Sequence, residues 1–128
     1  MLQVLLIDDN PTQLRLRAAV LTDAGMFVAI AGDCETALAL LGSSSPASFD
    51  VIVTDHMLPG QSGAAFVRQL RQVNSNIPVL AISGLPEAQE DYEGLNVRFL
   101  PKPVPPEDFI RNVVELGDST SPDAAGTD

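Results

Sequence analysis

The order of apolar runs predicts an α/β protein, a doubly wound parallel sheet of five strands with five helices. Three observations carry that prediction. Five apolar runs of strand length alternate with segments of helical period, as expected of a sheet covered on both faces. The intervening segments are long enough for right-handed crossovers. Two of the runs, Val4-Leu5-Leu6-Ile7 and Val51-Ile52-Val53-Thr54, end in carboxylates, at Asp8-Asp9 and at Asp55. In a parallel sheet those carboxylates emerge at one edge, where two of them about 4 Å apart repel by roughly 4 kcal/mol at an effective dielectric of 20. A cluster of that kind implies a cation.

The elements follow in order. After the first run, Asn10-Pro11 reads as a helix start, with proline at the first helical position. Leu14, Ala18 and Leu21 fall at i, i+4 and i+7, and Gly25 stops the helix. Met26 to Ala31 is the second strand. Asp33 caps a short helix carrying Ala37, Leu38 and Leu41, ended by Gly42. Residues Ser43 to Ser48 form a small-residue loop before the third strand. Pro59-Gly60 is a turn signal, and from Gly63 the residues Phe66, Val67, Leu70 and Val73 make an apolar stripe. Val79 to Ile82 and Val97 to Leu100 are the fourth and fifth strands. Pro105-Pro106-Glu107-Asp108 opens the last helix, whose acidic first turn suits the dipole and whose inner face is Phe109, Val113 and Leu116. The domain is expected to span residues 1–117. The segment from Asp118 to Asp128 has no apolar period and reads as a mobile polar tail or linker stub.

Composition bounds the function. A chain of 128 residues, 45% apolar, suits one domain with a proper core. Seven basic residues against seventeen acidic give a net charge of −10, which argues against direct nucleic-acid binding by this domain. Cys34 is the single cysteine, so no intramolecular disulfide forms and a reducing cytoplasm is expected. No basic leader precedes a long apolar stretch, and no apolar run approaches the roughly 20 residues of a membrane helix. Lys102 is the only lysine, set in Phe99-Leu100-Pro101-Lys102-Pro103.

In open α/β sheets, ligands bind beyond the carboxyl ends of the strands. The residues there are Asp8-Asp9, Asp55, Ser83 and Lys102. Hard oxygen ligands suit Mg2+. A carboxylate beside a metal, an ammonium and a hydroxyl is what phosphoryl transfer requires, because that chemistry is mostly positioning and charge neutralisation.

This set resembles the receiver domain of two-component response regulators, over residues 1 to about 117. The elements are Asp8-Asp9, Asp55 followed by Met57-Leu58-Pro59-Gly60 and Gly63, Ser83-Gly84, and Lys102-Pro103. The resemblance implies a flavodoxin-like strand order 2-1-3-4-5, a case with which that order is commonly illustrated. It further implies that Asp55 accepts a phosphoryl group from a phosphohistidine of a sensor histidine kinase or histidine phosphotransfer protein. Asp9, Asp55 and the main-chain carbonyl of Met57 would bind Mg2+, with Asp8 acting through a metal-bound water. Ser83 would hydrogen-bond the phosphoryl group and Lys102 would pair with it. Phe99 matches the family's switch aromatic, which turns inward as Ser83 moves toward the phosphate. Lys102-Pro103 matches a cis peptide, a geometry that proline makes accessible.

Two departures stand out. Only eighteen residues separate Ser83 from Lys102, and they include Pro86, Gly94 and the acidic Glu87, Glu90, Asp91 and Glu93. A short or irregular fourth helix follows, which leaves the family's common dimer surface and the oligomeric state open. Met57 and Leu85 are apolar at positions that tune the attack of water on the aspartyl phosphate, so slow self-dephosphorylation is expected.

Blander readings apply elsewhere. His56 reads as an exposed, incidental loop histidine, Cys34 as a small partly buried residue without redox role, and Tyr92 as too isolated to interpret. The acidic stretch from Glu87 to Glu93 reads as a solvated face. Two rival functions are weighed. An aspartate-nucleophile phosphatase of the haloacid dehalogenase type needs a second aspartate two positions after the first, where this chain has Met57. A phosphorylation-independent interaction domain would be expected to lack part of the site. The output partner or effector, and whether the domain stands alone or belongs to a hybrid kinase or larger regulator, leave no trace in the sequence.

Overall fold

The computed structural model describes residues 2–42, 49–58, 60–73 and 76–118. The loop expected at 43–48, Pro59 of the turn, the Val73 side chain and the tail from 119 onward lie outside the described residues.

Five strands form one parallel sheet: β1 (Gln3–Ile7), β2 (Phe27–Ala31), β3 (Val51–Asp55), β4 (Val79–Ser83) and β5 (Val97–Pro101). Their order is β2-β1-β3-β4-β5, the 2-1-3-4-5 order expected. Three α-helices lie between strands, α1 (Pro11–Asp23), α2 (Cys34–Leu41) and α3 (Gly63–Val73), and α4 (Pro106–Asp118) closes the fold.

Side chains alternate across the pleat, so each strand feeds two cores. Leu5, Ile7, Ile52, Val79 and Ala81 face one side and pack with Phe66, Val67 and Leu70 of α3. Val4, Leu6, Val51, Val53, Leu80 and Ile82 face the other and meet Leu14 and Leu21 of α1 and Phe109 and Val113 of α4. The central strands β3 and β4 are buried at every position, as strands covered on both faces must be.

Local signals act where the sequence places them. Asn10 caps α1, its side chain accepting from the N–H groups of Thr12 and Gln13 at 3.0 and 3.1 Å. Asp33 caps α2 through the Thr36 N–H at 2.7 Å. The second strand starts at Phe27, one residue later than expected, and Met26 is buried just before it.

The fourth helical segment is a 3-10 helix over Pro86–Tyr92. Proline opens it, no side chain caps it, and Gly94 and Asn96 end it in the left-handed region, at φ 77° and 59°. With i→i+3 bonding it reaches β5 in fewer residues than a full α-helical crossover would take. A two-residue antiparallel ribbon, Met57–Leu58 against Gln61–Ser62, joins β3 to α3 and has no counterpart in the sequence reading.

Candidate functional site

Each strand end delivers one group to the same edge of the sheet, and main-chain bonds to a neighbouring strand hold each position. Asp8 N–H donates to Ala31 O of β2 at 3.2 Å, His56 N–H to Ile82 O of β4 at 3.1 Å, and Lys102 N–H to Ser83 O at 2.8 Å. The chain therefore stays in sheet geometry for one residue past β1, β3 and β5.

Asp8, Asp9 and Asp55 each offer a carboxylate oxygen, and these oxygens lie within 4.8 Å of one another. Asp8 and Asp55 are buried, whereas Asp9 is exposed. They line a cavity of about 350 Å3 together with Asn10, Met57 and Lys102. Two cations offset the charge. Lys102 Nζ reaches Asp55 Oδ2 at 3.2 Å, and Arg17 of α1 donates to Asp8 Oδ2 at 3.0 Å. The Arg17 contact was not anticipated, because a residue nine positions along meets Asp8 only once α1 folds back over β1.

Burial pushes the Asp8 carboxyl above its ordinary value, and the charge of Asp55 adds to the effect. The Asn10 N–H, at 2.9 Å from Asp8 Oδ1, opposes it, as do Arg17 and Lys102. Two buried carboxylates that raise the proton affinity of one of them make a site avid for positive charge. Gln13 lines the same cavity, and its Oε1 is a buried acceptor without a donor among the described residues.

The remaining predicted residues divide. Ser83 is buried, but its Oγ accepts the Leu85 N–H at 3.0 Å and it does not line the acidic cavity. Phe99 is half-buried, on the same sheet face as Ser83, its ring centroid 5.9 Å from that of Tyr92. The Met57 side chain is 62% exposed at the cavity mouth. The Lys102-Pro103 peptide is cis.

Three readings need correction. His56 is not an exposed loop residue but 7% exposed, with Nδ1 2.8 Å from the Tyr92 hydroxyl. Strand alternation explains it: Asp55 points toward α1 and α4, so His56 turns to the opposite face, beneath α3 and the 3-10 helix. Tyr92, which carried no interpretable signal, is 3% exposed and belongs to the core on that face. Cys34, expected to be partly buried, is 5% exposed, and burial pushes its thiol up, away from reactivity.

Gly63 is the one glycine that the site requires for space. A Cβ there would lie 2.6 Å from Asp55 O and 2.5 Å from the Tyr92 hydroxyl. Its N–H donates to His56 O at 2.7 Å, which fixes the start of α3 against the end of β3.

Comparison with known proteins places these features in a wider set. The family model described as response regulator receiver domain matches residues 4–114. The response regulator MprA of Mycolicibacterium vanbaalenii is 30% identical over 124 residues, which cover 94% of this chain and 52% of that protein. The C4-dicarboxylate transport transcriptional regulatory protein DctD of Pseudomonas aeruginosa is 32% identical over 120 residues, 89% of this chain and 25% of its own length. The chain thus spans about half, or less, of these curated relatives. Among solved structures, a Francisella response regulator receiver domain superposes with a TM-score of 0.85 at 27% identity, covering 94% of this chain and 100% of that one. The chemotaxis response regulator CheY4 of Vibrio cholerae gives 0.80 at 29% identity, covering 91% and 98%.

Proposed function

The chain belongs to the response regulator receiver domain family, and on that premise we propose that Asp55 accepts a phosphoryl group in a Mg2+-dependent reaction and thereby switches the binding of a partner. The observation that carries this reading is the meeting of Asp8, Asp9, Asp55 and Lys102 around one cavity. The donor is a phosphohistidine of a sensor kinase or histidine phosphotransfer protein: its P–N bond breaks as an Asp55 oxygen bonds to phosphorus. The residues act as a unit, residues 1–117, in the cytoplasm.

The donor set fits Mg2+. Three carboxylates within reach of one ion are hard oxygen ligands, and Gln13 Oε1 suits the retained waters of such an ion. Asp9, Asp55 and the Met57 carbonyl would hold it, with Asp8 acting through a water. Bound there, the ion supplies neutralisation of the charge that develops on the phosphoryl oxygens. Lys102, already on Asp55 Oδ2, binds a phosphoryl oxygen as the carboxylate gives up its charge. Arg17 orients Asp8 through its 3.0 Å bond to Oδ2 and opposes the upward push of burial on that carboxyl. Ser83 lies one sheet position away, and its hydroxyl, which accepts from the Leu85 N–H, donates to a phosphoryl oxygen as it turns toward that group.

The test is mass spectrometry after incubation with Mg2+ and acetyl phosphate. One phosphoryl group should add to the wild-type chain, none to Asp55→Asn, and none without Mg2+. Modification that survives Asp55→Asn would overturn the assignment.

A further inference from the structure

The side chain that follows Asp55 is tied to the segment in which this chain departs from its family. His56 is buried against Tyr92, the last residue of the 3-10 helix, and the two share a hydrogen bond of 2.8 Å between Nδ1 and the hydroxyl. Burial and the nearby Asp55 and Asp91 charges hold the Tyr92 phenol in its protonated form, so its hydroxyl can donate. The rings meet edge to face at 5.5 Å and 65°. Tyr92 leans in turn on Phe99 of β5. At its other end, His56 carries the main chain of the site: its N–H donates to Asp55 Oδ1 at 2.9 Å, and its carbonyl accepts from Gly63.

That arrangement responds to the charge of Asp55. Both carboxylate oxygens are engaged, Oδ1 by the His56 N–H and Oδ2 by Lys102. Phosphorylation of either oxygen moves the negative charge from the carboxylate onto the phosphoryl oxygens, so the N–H bond to Asp55 changes from charge-assisted to ordinary and weakens about twofold. The same N–H also donates to Ile82 O at 3.1 Å, so this shared bond shifts its balance from Asp55 toward β4 and the His56 peptide shifts with it. The 3-10 helix is built to follow it. It lacks a side-chain cap, and beside its Tyr92–Phe99 contact with β5 an open groove of about 510 Å3 is lined by Glu87, Glu90, Tyr92 and Phe99. A tightly packed segment would have no room to shift.

We propose that His56 is a positioning residue that couples the phosphorylation state of Asp55 to the 3-10 helix through its hydrogen bond with Tyr92, beside the route through Ser83 and Phe99. The proposal rests on Asp55 being the phosphoacceptor. Its consequence is that the 3-10 helix shifts with the phosphorylation state of Asp55.

Tyr92 is the only tyrosine and the chain has no tryptophan, so intrinsic fluorescence reports this one ring. Wild-type protein with Mg2+ and beryllofluoride should show a change in Tyr92 emission together with shifted amide resonances over Pro86–Tyr92. Fluorine NMR scores loading of the site independently. In Tyr92→Phe, which deletes one oxygen and keeps the ring, loading should persist while the amide shifts of the segment fall about fivefold, the population change that one hydrogen bond supports. Undiminished shifts in that variant would overturn the coupling. So would a wild-type protein that loads beryllofluoride with Tyr92 emission unchanged, a measurement that needs no variant. Failure of the wild type to load at all would instead overturn the phosphoacceptor reading, and this one with it.

Discussion

Met57 lines the acidic cavity and Leu85 follows Ser83 by two residues; neither side chain has a polar atom, and they are 62% and 43% exposed. Neither can orient a water for attack on an acyl phosphate, and positioning of that kind is worth about 100-fold or more in rate. The aspartyl phosphate is therefore expected to be long-lived. Following loss of the phosphoryl mass adduct over time should give a half-life well beyond seconds, and Met57→Asn should shorten it by about tenfold. A wild-type half-life of seconds would contradict this account. At this scale the sequence was informative wherever a residue sits at a strand end: Asp8, Asp9, Asp55 and Lys102 meet as their places along the chain imply. It was silent on Tyr92 and wrong about His56, read as exposed; the two lie 36 positions apart and meet by packing alone. The available clue was the lone tyrosine at the end of the shortened segment, and nothing local said what it touches. Arg17 was missed for the same reason, since its contact depends on how α1 lies over β1.

Helix starts carry the clearest element-level expectations. Asn10 caps α1 with two backbone bonds, and α1 brings Arg17 to Asp8. Asn10→Ala should lower stability in urea by about 1 kcal/mol. Asp33 at α2 carries a pH dependence. The Thr36 N–H, with help from the Thr36 hydroxyl, holds its carboxyl below the ordinary 3.8. A carboxyl whose folded pKa lies below its unfolded value binds fewer protons when folded, so its contribution is present above 3.8 and is lost as pH falls through the folded value. The difference in urea midpoint between wild type and Asp33→Ala should accordingly shrink as pH drops below about 3.8. Both caps were legible because Asn and Asp act on N–H groups two or three residues ahead. The shortness of the fourth helical segment was legible from a residue count, whereas its 3-10 winding and its seat on His56 were not. Arg68 and Arg71 of α3 support this region from the far side. Arg68 donates to Asp91 O at 3.2 Å, and Arg71 donates to Leu95 O, Asn96 O and Ile77 O at 2.7 to 3.0 Å.

For the whole molecule, the net charge of −10 and the carboxylate cluster lead to the expectation that a divalent cation raises stability. Mg2+ at ten times its dissociation constant should stabilise the folded state by about 1.4 kcal/mol. That corresponds to a rise of a few degrees in Tm, absent in Asp9→Ala and in EDTA; equal rises in wild type and variant would remove the ion from this cluster. Among the described residues no helix is long and apolar enough to cross a membrane. What the sequence determined by itself was the layered sheet, its strand order through the family resemblance, and the acidic edge. Apolar runs, caps and strand-end residues act over a few positions, and a parallel sheet then brings every strand's carboxyl end to one side. What only the tertiary structure decided was the opposite face. Alternation sends His56 away from its neighbour Asp55, and Gly63 leaves space for the Tyr92 hydroxyl to reach it. Contacts of that kind depend on how distant elements pack, and no spacing along the chain encodes them.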